Sequence, residues 1–184
     1  VVTMYGNSIL IPLLVQNVQH QSTIVSALTI LPGACLTGLL STTSGRFYDK
    51  YSIRVLVTTG LTIDMIGTLC QCLIGSQSST LMVTIFQTVR QLGLVTMLIP
   101  LMTQAEALVP LKELPDAVAT FNTLRQVAAS LGTALIVGTI GIVDNIVGNS
   151  NSSRGIQGGF AVAFVLLCIA MVLTPQLRHN PQHK

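Results

Sequence analysis

Residues 55–75 read VLVTTGLTIDMIGTLCQCLIG, an apolar run interrupted by one charged side chain, Asp64. An α-helix rises about 1.5 Å per residue, so a run of this length can cross a hydrocarbon core of about 30 Å. Only 8% of the 184 residues in the chain are charged, and the mean hydropathy is +0.71. Soluble domains carry about 25% charged residues. The chain is therefore predicted to be an integral membrane protein.

Five more apolar runs flank this one. A window of about nineteen residues resolves spans near 1–18, 23–44, 55–75, 81–103, 117–143 and 159–174, separated by connectors rich in polar residues, Gly and Pro. The runs are too long for the strands of a membrane β-barrel, and they do not alternate. We therefore predict an all-α integral membrane fold of six transmembrane helices.

The connectors differ in charge. Those after the second, fourth and sixth spans hold six basic residues, whereas the other three hold only Arg154. The six are Arg46, Lys50, Arg54, Lys112, Arg178 and Lys184. Lys and Arg accumulate in cytoplasmic loops of membrane proteins. We therefore predict a multi-pass protein with both ends of this chain in the cytoplasm.

Several classes of function are disfavoured. The net charge of +3 comes from nine scattered Lys and Arg residues, so no basic stripe indicates a nucleic-acid partner. The chain has no phosphate-binding loop, no HExxH motif and no catalytic Ser/His/acid set in one aqueous loop. The four cysteines lie in apolar runs, with no histidine nearby to complete a metal site. The chain is therefore predicted not to be an enzyme and to bind neither metal nor cofactor.

Residues 45–54, GRFYDKYSIR, together with LPGA at 31–34 and GLLS at 38–41, resemble the signature cytoplasmic loop of the major facilitator superfamily and the helix before it. The loop pattern is Gly, any, Leu, any, Asp, a basic residue, any, Gly, Arg, a basic residue. The matching residues are Gly45, Asp49, Lys50 and Arg54, and the departures are Phe47, Ser52 and Ile53. The departures fit the degenerate second copy, found in the C-terminal half of that family.

A second stretch is more specific. Residues 122–134, NTLRQVAASLGTA, are similar to the Asn-Thr-x-Arg-Gln-Val-Ala-Gly-Ser-x-Gly-Thr-Ala segment of the fourteen-span drug:proton antiporters, which include lincomycin-resistance and related multidrug exporters. Only Ala129 departs from it. Residues 11–18, IPLLVQNV, are similar to a stretch in the first helix of the same half. The resemblance implies helices nine to fourteen, the C-terminal six-helix bundle, with the N-terminal half absent from this chain.

The resemblance also implies a function. It predicts part of a proton-coupled multidrug efflux transporter of the cell membrane, of the kind that confers antibiotic resistance. Such a transporter exchanges an amphipathic drug for protons by alternating access between two bundles, with the proton gradient in place of a cofactor. Its partners would be the drug, protons, the lipid bilayer and the missing N-terminal half. The alternatives are a facilitator-family permease for a specific metabolite and a non-transporting truncated remnant.

The resemblance assigns a cytoplasmic gating loop of Gly45, Arg46, Asp49, Lys50 and Arg54. Asp49 is an acid among three bases, so its carboxylate can pair with Arg46 or Lys50 or face the positive end of a neighbouring helix. The alternative is that the basic residues only anchor the loop at the cytoplasmic face.

Span five carries the polar members of the most specific motif, Asn122, Arg125 and Gln126. We predict that they form a buried polar network at the inner gate, with Glu106 as the acidic partner. The alternative is that Arg125 extends its charge to the interface while Gln126 bonds a neighbouring helix. Small residues in the same span, including Gly132 and Gly138, predict close helix packing.

Two charges, Asp64 and Arg90, fall inside spans three and four at nearly the same distance from the turn between them. A lone charge at mid-membrane costs at least about 2.5 to 3.5 kcal/mol, so each needs a partner or a watery cavity. One interpretation is a structural ion pair. The other is a proton-coupled or cation-sensing carboxylate in the transport path.

Overall fold

The computed structural model describes residues 2–50, 53–75, 78–147 and 153–174, with side chains at all of these except 41–50, 147 and 173. Within these ranges the chain forms helices and no strands, which confirms the predicted all-α fold. The helices are α1 (Val2–Leu13), α2 (Thr23–Lys50), α3 (Ile53–Cys72), α4 (Thr80–Ala107), α5 (Leu114–Val147) and α6 (Ser153–Leu173). A π-helical turn, Leu14–Val18, continues α1.

Five of the described helices, α2 to α6, are long and apolar enough to cross a membrane. Helix α1 has 12 residues and its π-helical continuation 5, which makes this first span the shortest. Helix α2 continues to Lys50, so residues 45–50 are helical where the sequence predicted a loop. Residues 41–50 contain no proline that would break the helix. By continuing beyond the hydrocarbon, the helix keeps its backbone groups hydrogen-bonded. The connection to α3 is correspondingly short.

Local sequence explains several helix ends. Pro12 lies one residue before the end of α1, and Gln19 N–H then bonds the Leu14 carbonyl at 3.0 Å in the wider π pattern. His20 follows with φ of 52°, a left-handed conformation that turns the chain toward α2. Helix α4 begins after Ser79, whose hydroxyl accepts a hydrogen bond of 3.3 Å from Leu81 N–H.

Among the described helices, α3 and α4 share the most extensive contact, and glycines allow it. A Cβ on Gly60 would lie 2.7 Å from the Gly93 carbonyl oxygen, and a Cβ on Gly67 would lie 2.8 Å from Arg90 Cα. Any side chain at these points would push the two backbones apart. Helix α2 packs on α4, α6 on α3, and α1 on α5 and α6.

The largest apolar cluster, which we call the outer core, lies toward the predicted external end of the bundle. It joins α1 with its π-helical turn, the outer ends of α3 and α4, and parts of α5 and α6. Its buried members are Leu10, Ile11, Leu14, Val15, Val18, Ile74, Val83, Ile136, Ile156, Phe160 and Ala163. By contrast, α2 and α5 leave much of their apolar surface exposed, including Leu28, Leu39, Leu131 and Ile142. These two helices present broad surfaces to lipid or to further helices.

Candidate functional site

A column of buried polar side chains runs between α1, α3 and α4. Residues three or four apart share one face of a helix, so each of the three helices contributes side chains from one or two turns of a single face. The members of this polar column are Thr3 and Asn7 on α1, Asp64, Thr68 and Gln71 on α3, and Gln87 and Arg90 on α4. All seven are buried, and none of them is more than 7% exposed. Such a polar array inside an apolar bundle marks a functional site by default.

Arg90 stands at the centre of the column. Its Nε lies 3.2 Å from Asp64 Oδ1, and both side chains are buried. The Nε–H is directed at Thr68 Oγ1, 3.3 Å away, and Nη2 donates a 2.8 Å hydrogen bond to the Thr3 carbonyl. Neither carboxylate oxygen of Asp64 accepts a hydrogen bond from the described residues. Asp64 is therefore held by the charge of Arg90 rather than by aligned hydrogen bonds.

The structure thus brings the two intramembrane charges together in one ion pair. Within the described residues, Arg90 is the only charged side chain in contact with Asp64. Removing one partner of a buried pair leaves the other charge uncompensated, which costs about 3 to 5 kcal/mol. Neutralising either residue of the pair therefore leaves the other charge unbalanced at this depth.

An amide cluster of Asn7, Gln71 and Gln87 lies next to the ion pair, toward the predicted external side. Asn7 Nδ2 and Gln71 Nε2 both donate to Gln87 Oε1, at 2.7 and 2.9 Å. Asn7 Oδ1 and Gln71 Oε1 accept no hydrogen bond from the described residues. This cluster was not predicted from the sequence. The sequence feature that indicates it is the presence of uncharged amides inside apolar spans, where they commonly form hydrogen bonds between helices.

An apolar cavity of about 480 Å³ opens on the opposite side of the ion pair, between α1, α3, α4 and α6. Its walls include Val57, Leu61, Met97 and Leu167, and it reaches Thr3, whose carbonyl accepts from Arg90. Small-molecule sites are concave and mostly apolar, with a few polar groups that fix orientation.

The predicted inner-gate residues are placed differently. Glu106, Asn122 and Gln126 are exposed, and Arg125 is half-buried. Glu106 and Arg125 form no ion pair in the part of the chain that the structure describes. The buried network expected from the sequence is therefore not formed within this bundle, because Asn122 and Gln126 lie on the exposed face of α5 and α5 has little contact with α4.

The structure places the remaining predicted residues in different surroundings. Gly45, Arg46, Asp49 and Lys50 lie in the last turns of α2, and their side chains are outside the described residues. Arg54 lies in the first turn of α3. A Cβ on Gly132 would lie 2.9 Å from Val2 Cα, so this glycine lets α5 approach α1. Gly138 has no such neighbour within 4 Å, which corrects its predicted packing role inside the bundle.

The described residues contain no group of three His, Cys, Asp or Glu side chains able to hold a metal ion. Their chemistry is that of an apolar helical bundle with an internal ion pair, an amide cluster and a small-molecule cavity. That combination is typical of a multi-pass membrane protein with an internal polar site.

Comparison with known proteins gives the family. Residues 1–133 match the model of the Major Facilitator Superfamily, and the chain belongs to this superfamily. It is 30% identical over 97% of its length to the uncharacterized MFS-type transporter YcnB of Bacillus subtilis. It is 29% identical over 92% of its length to the lincomycin resistance protein LmrB of Listeria innocua. It is 33% identical over 71% of its length to the multidrug export protein EmrB of Haemophilus influenzae.

These relatives are longer than the chain. The matched region covers 39% of YcnB, 38% of the Listeria LmrB and 26% of EmrB. The chain thus spans about two-fifths of the length of the first two relatives.

Proposed function

We propose that this chain is the C-terminal six-helix bundle of a proton-coupled exporter of amphipathic drugs in the cell membrane. The names of its relatives, which include lincomycin resistance and multidrug export, support a drug as the substrate. The observation that carries proton coupling is the carboxylate of Asp64. It is fully buried, faces a single cation and accepts no hydrogen bond from the described residues.

The two protonation states of Asp64 differ in what they do to Arg90. When Asp64 is charged, it neutralises the guanidinium, and the pair has no net charge. When a proton binds the carboxylate, Arg90 keeps its bonds to Thr3 and Thr68 but its positive charge is unbalanced. A neighbouring drug cation would then be repelled, because uncompensated charges interact strongly at low dielectric. Alternate occupation by a proton or a cationic drug follows from this competition.

The exposed faces of α2 and α5 would contact the second bundle of the transporter. Asn122 and Gln126 lie on that surface of α5, and Arg125 is half-buried beside it. The three can form an inner gate with groups of the other bundle. The cytoplasmic loop residues Asp49 and Arg54 would contribute to the same gate. Opening and closing on alternate sides would then be a rocking of one bundle against the other.

Transport in liposomes tests the proposal. The complete transporter is reconstituted, and export of ethidium or lincomycin is measured with and without an inwardly directed proton gradient. Wild type should respond to the gradient, and Asp64→Asn should lose that response while still exchanging drug for drug across the membrane. Asp116→Asn, which alters an exposed acid at the start of α5, is the matched control and should behave like wild type.

Two outcomes would contradict the proposal. If wild-type transport does not depend on the gradient, proton coupling is excluded. If Asp64→Asn responds to the gradient as wild type does, another group carries the proton.

A further inference from the structure

We propose that the amide cluster of Asn7, Gln71 and Gln87 holds a short chain of water molecules that passes protons between Asp64 and the external end of the bundle. The inference rests on the proposed function, because it concerns the route by which Asp64 is protonated. It assigns a role to three side chains that lie outside the family motifs described above.

Several buried oxygens of the polar column lack a hydrogen-bond donor in the described part of the chain. Four buried oxygens in the polar column accept no hydrogen bond from the described residues: Asn7 Oδ1, Gln71 Oε1 and both carboxylate oxygens of Asp64. The amide donors of Asn7 and Gln71 are already directed at Gln87 Oε1. Buried polar groups normally find partners, and an internal water typically makes about three hydrogen bonds to such groups. Water molecules would supply hydrogen-bond donors to these four oxygens.

The distance between Asp64 and Gln71 along α3 suits a chain of a few water molecules. Asp64 and Gln71 are seven residues apart on one face of α3, which corresponds to about 10 Å along the helix axis. With hydrogen bonds of about 2.8 Å between oxygens, roughly four bonds span that distance. Thr68 lies between the two, but its hydroxyl already donates to the Asp64 carbonyl and accepts from Arg90. A connection along this face therefore requires water rather than the threonine.

The outer core closes the external end of the polar column. Toward the external side, Leu10, Ile74 and Val83 of the outer core are buried beyond the amide cluster. Toward the other side, the ion pair is followed by the apolar walls of the cavity at Leu61 and Met97. The packed outer core separates the water chain from the external solution, so in this conformation the chain does not connect the two aqueous phases and does not dissipate the gradient. Protons would enter from outside only in the conformation that opens the outer core.

The transfer balances without a further reactant. A hydronium ion at the external end gives a proton to the first water, and each water passes one proton to the next. The last water gives its proton to Asp64, where a new O–H bond forms, and every water retains two hydrogens.

Arg90 is the charged group facing Asp64. The other ionisable residues of α1, α3, α4 and α6 are Tyr5, Arg54, Cys70, Cys72, Glu106, Arg154 and Cys168.

The test uses the reconstituted full-length transporter with Gln71→Met and Gln87→Met, each measured separately. Methionine keeps the length of glutamine but offers no strong hydrogen-bonding group. Gln91→Met is the matched control, because Gln91 lies on the same helix as Gln87 but packs against Gly33 of α2. For each variant, gradient-driven drug transport is compared with drug–drug exchange, which requires no net proton movement. Folding is checked by size-exclusion chromatography.

We expect Gln71→Met to lower gradient-driven transport at least about tenfold, since positioned groups in proton transfer contribute about 10²–10⁴ in rate. Drug–drug exchange should continue, and Gln91→Met should match wild type in both measurements. Gln71→Met keeps the Asn7–Gln87 bond, so it remains informative if Gln87→Met does not fold.

The outcomes separate this inference from the proposed function. If Asp64→Asn loses the gradient response while both glutamine variants keep it, the proposed function stands and the water chain is overturned. If the variants lose exchange and gradient-driven transport in equal proportion, or if neither folds, the cluster serves packing and the inference is overturned. If wild type shows no gradient response, the proposed function itself fails.

Discussion

Arg90 on α4 donates a 2.8 Å hydrogen bond to the backbone carbonyl of Thr3 on α1 while its Nε lies beside Asp64 on α3. One side chain therefore links three helices. Helix α1 otherwise packs mainly on α5 and α6, and the Asn7–Gln87 bond is its other polar link to α4. A change in the charge of Asp64 can reach α1 directly through Arg90, because the guanidinium contacts both.

The ion pair predicts mutual compensation. Asp64→Asn and Arg90→Gln should each lower the melting temperature in detergent and the membrane abundance, because each strands a buried charge at a cost of about 3 to 5 kcal/mol. The double variant removes both charges and should recover much of the loss, although the hydrogen bond to Thr3 is altered as well. Equal behaviour of the singles, the double and wild type would show that the pair contributes nothing at this depth.

Thr68 should matter more than other threonines of α3. Thr68→Val removes the hydroxyl that accepts from Arg90 Nε while keeping the side-chain shape. Hydrogen bonds to charged groups contribute about 1.5 to 3 kcal/mol, so thermal unfolding in detergent should shift downward. Thr62→Val is the control, because the Thr62 hydroxyl is exposed and donates only to the Thr58 carbonyl. Equal shifts for the two variants would contradict the prediction.

Gly93 should not tolerate alanine. A Cβ at Gly93 would collide with the backbone nitrogen of Asp64, so Gly93→Ala should separate α3 from α4 and cost about 1 to 3 kcal/mol. Gly138→Ala enters open space, and alanine in a helix is favoured over glycine by up to about 1 kcal/mol. Thermal unfolding should therefore rank Gly138→Ala at or above wild type and Gly93→Ala well below it.

Arg125 should affect transport without affecting folding. Arg125 is half-buried and forms no ion pair within the described residues, so Arg125→Ala should change stability by no more than about 1 kcal/mol. Abundance should stay within about twofold, since larger changes need about 1 to 2 kcal/mol. Drug resistance should nevertheless be lost if Arg125 belongs to the gate. Lys112→Ala, at an exposed site between α4 and α5, should retain resistance. Loss of the Arg125→Ala protein from the membrane would indicate a folding role.

The orientation can be tested in cells. In a background with the four native cysteines replaced by serine, Ser52→Cys should react with a membrane-impermeant thiol reagent only after the cells are opened. Ser152→Cys should react in intact cells, because it lies in the connector between spans five and six. The opposite pattern would reverse the predicted topology, and the amide cluster would then lie on the cytoplasmic side of Asp64.

The sequence alone determined the class of fold. Apolar runs of about twenty residues have few alternatives in a bilayer, because every backbone group must be bonded within the segment. The charges inside the third and fourth spans, Asp64 and Arg90, were also evident, since a charge in an apolar run is rare and costly. Motif resemblance likewise identified the superfamily that the family match establishes.

Only the tertiary structure decided which polar groups meet. Asn7, Gln71 and Gln87 come from three helices, and their contact depends on how those helices rotate about their axes, which local sequence does not fix. The same rotation turns Asn122 and Gln126 outward, although their motif suggested burial. Close packing was likewise assigned to Gly138, whereas Gly60, Gly67 and Gly93 form the tightest contact. A glycine allows close approach only where a second backbone lies opposite it, and that depends on the packing of the whole bundle.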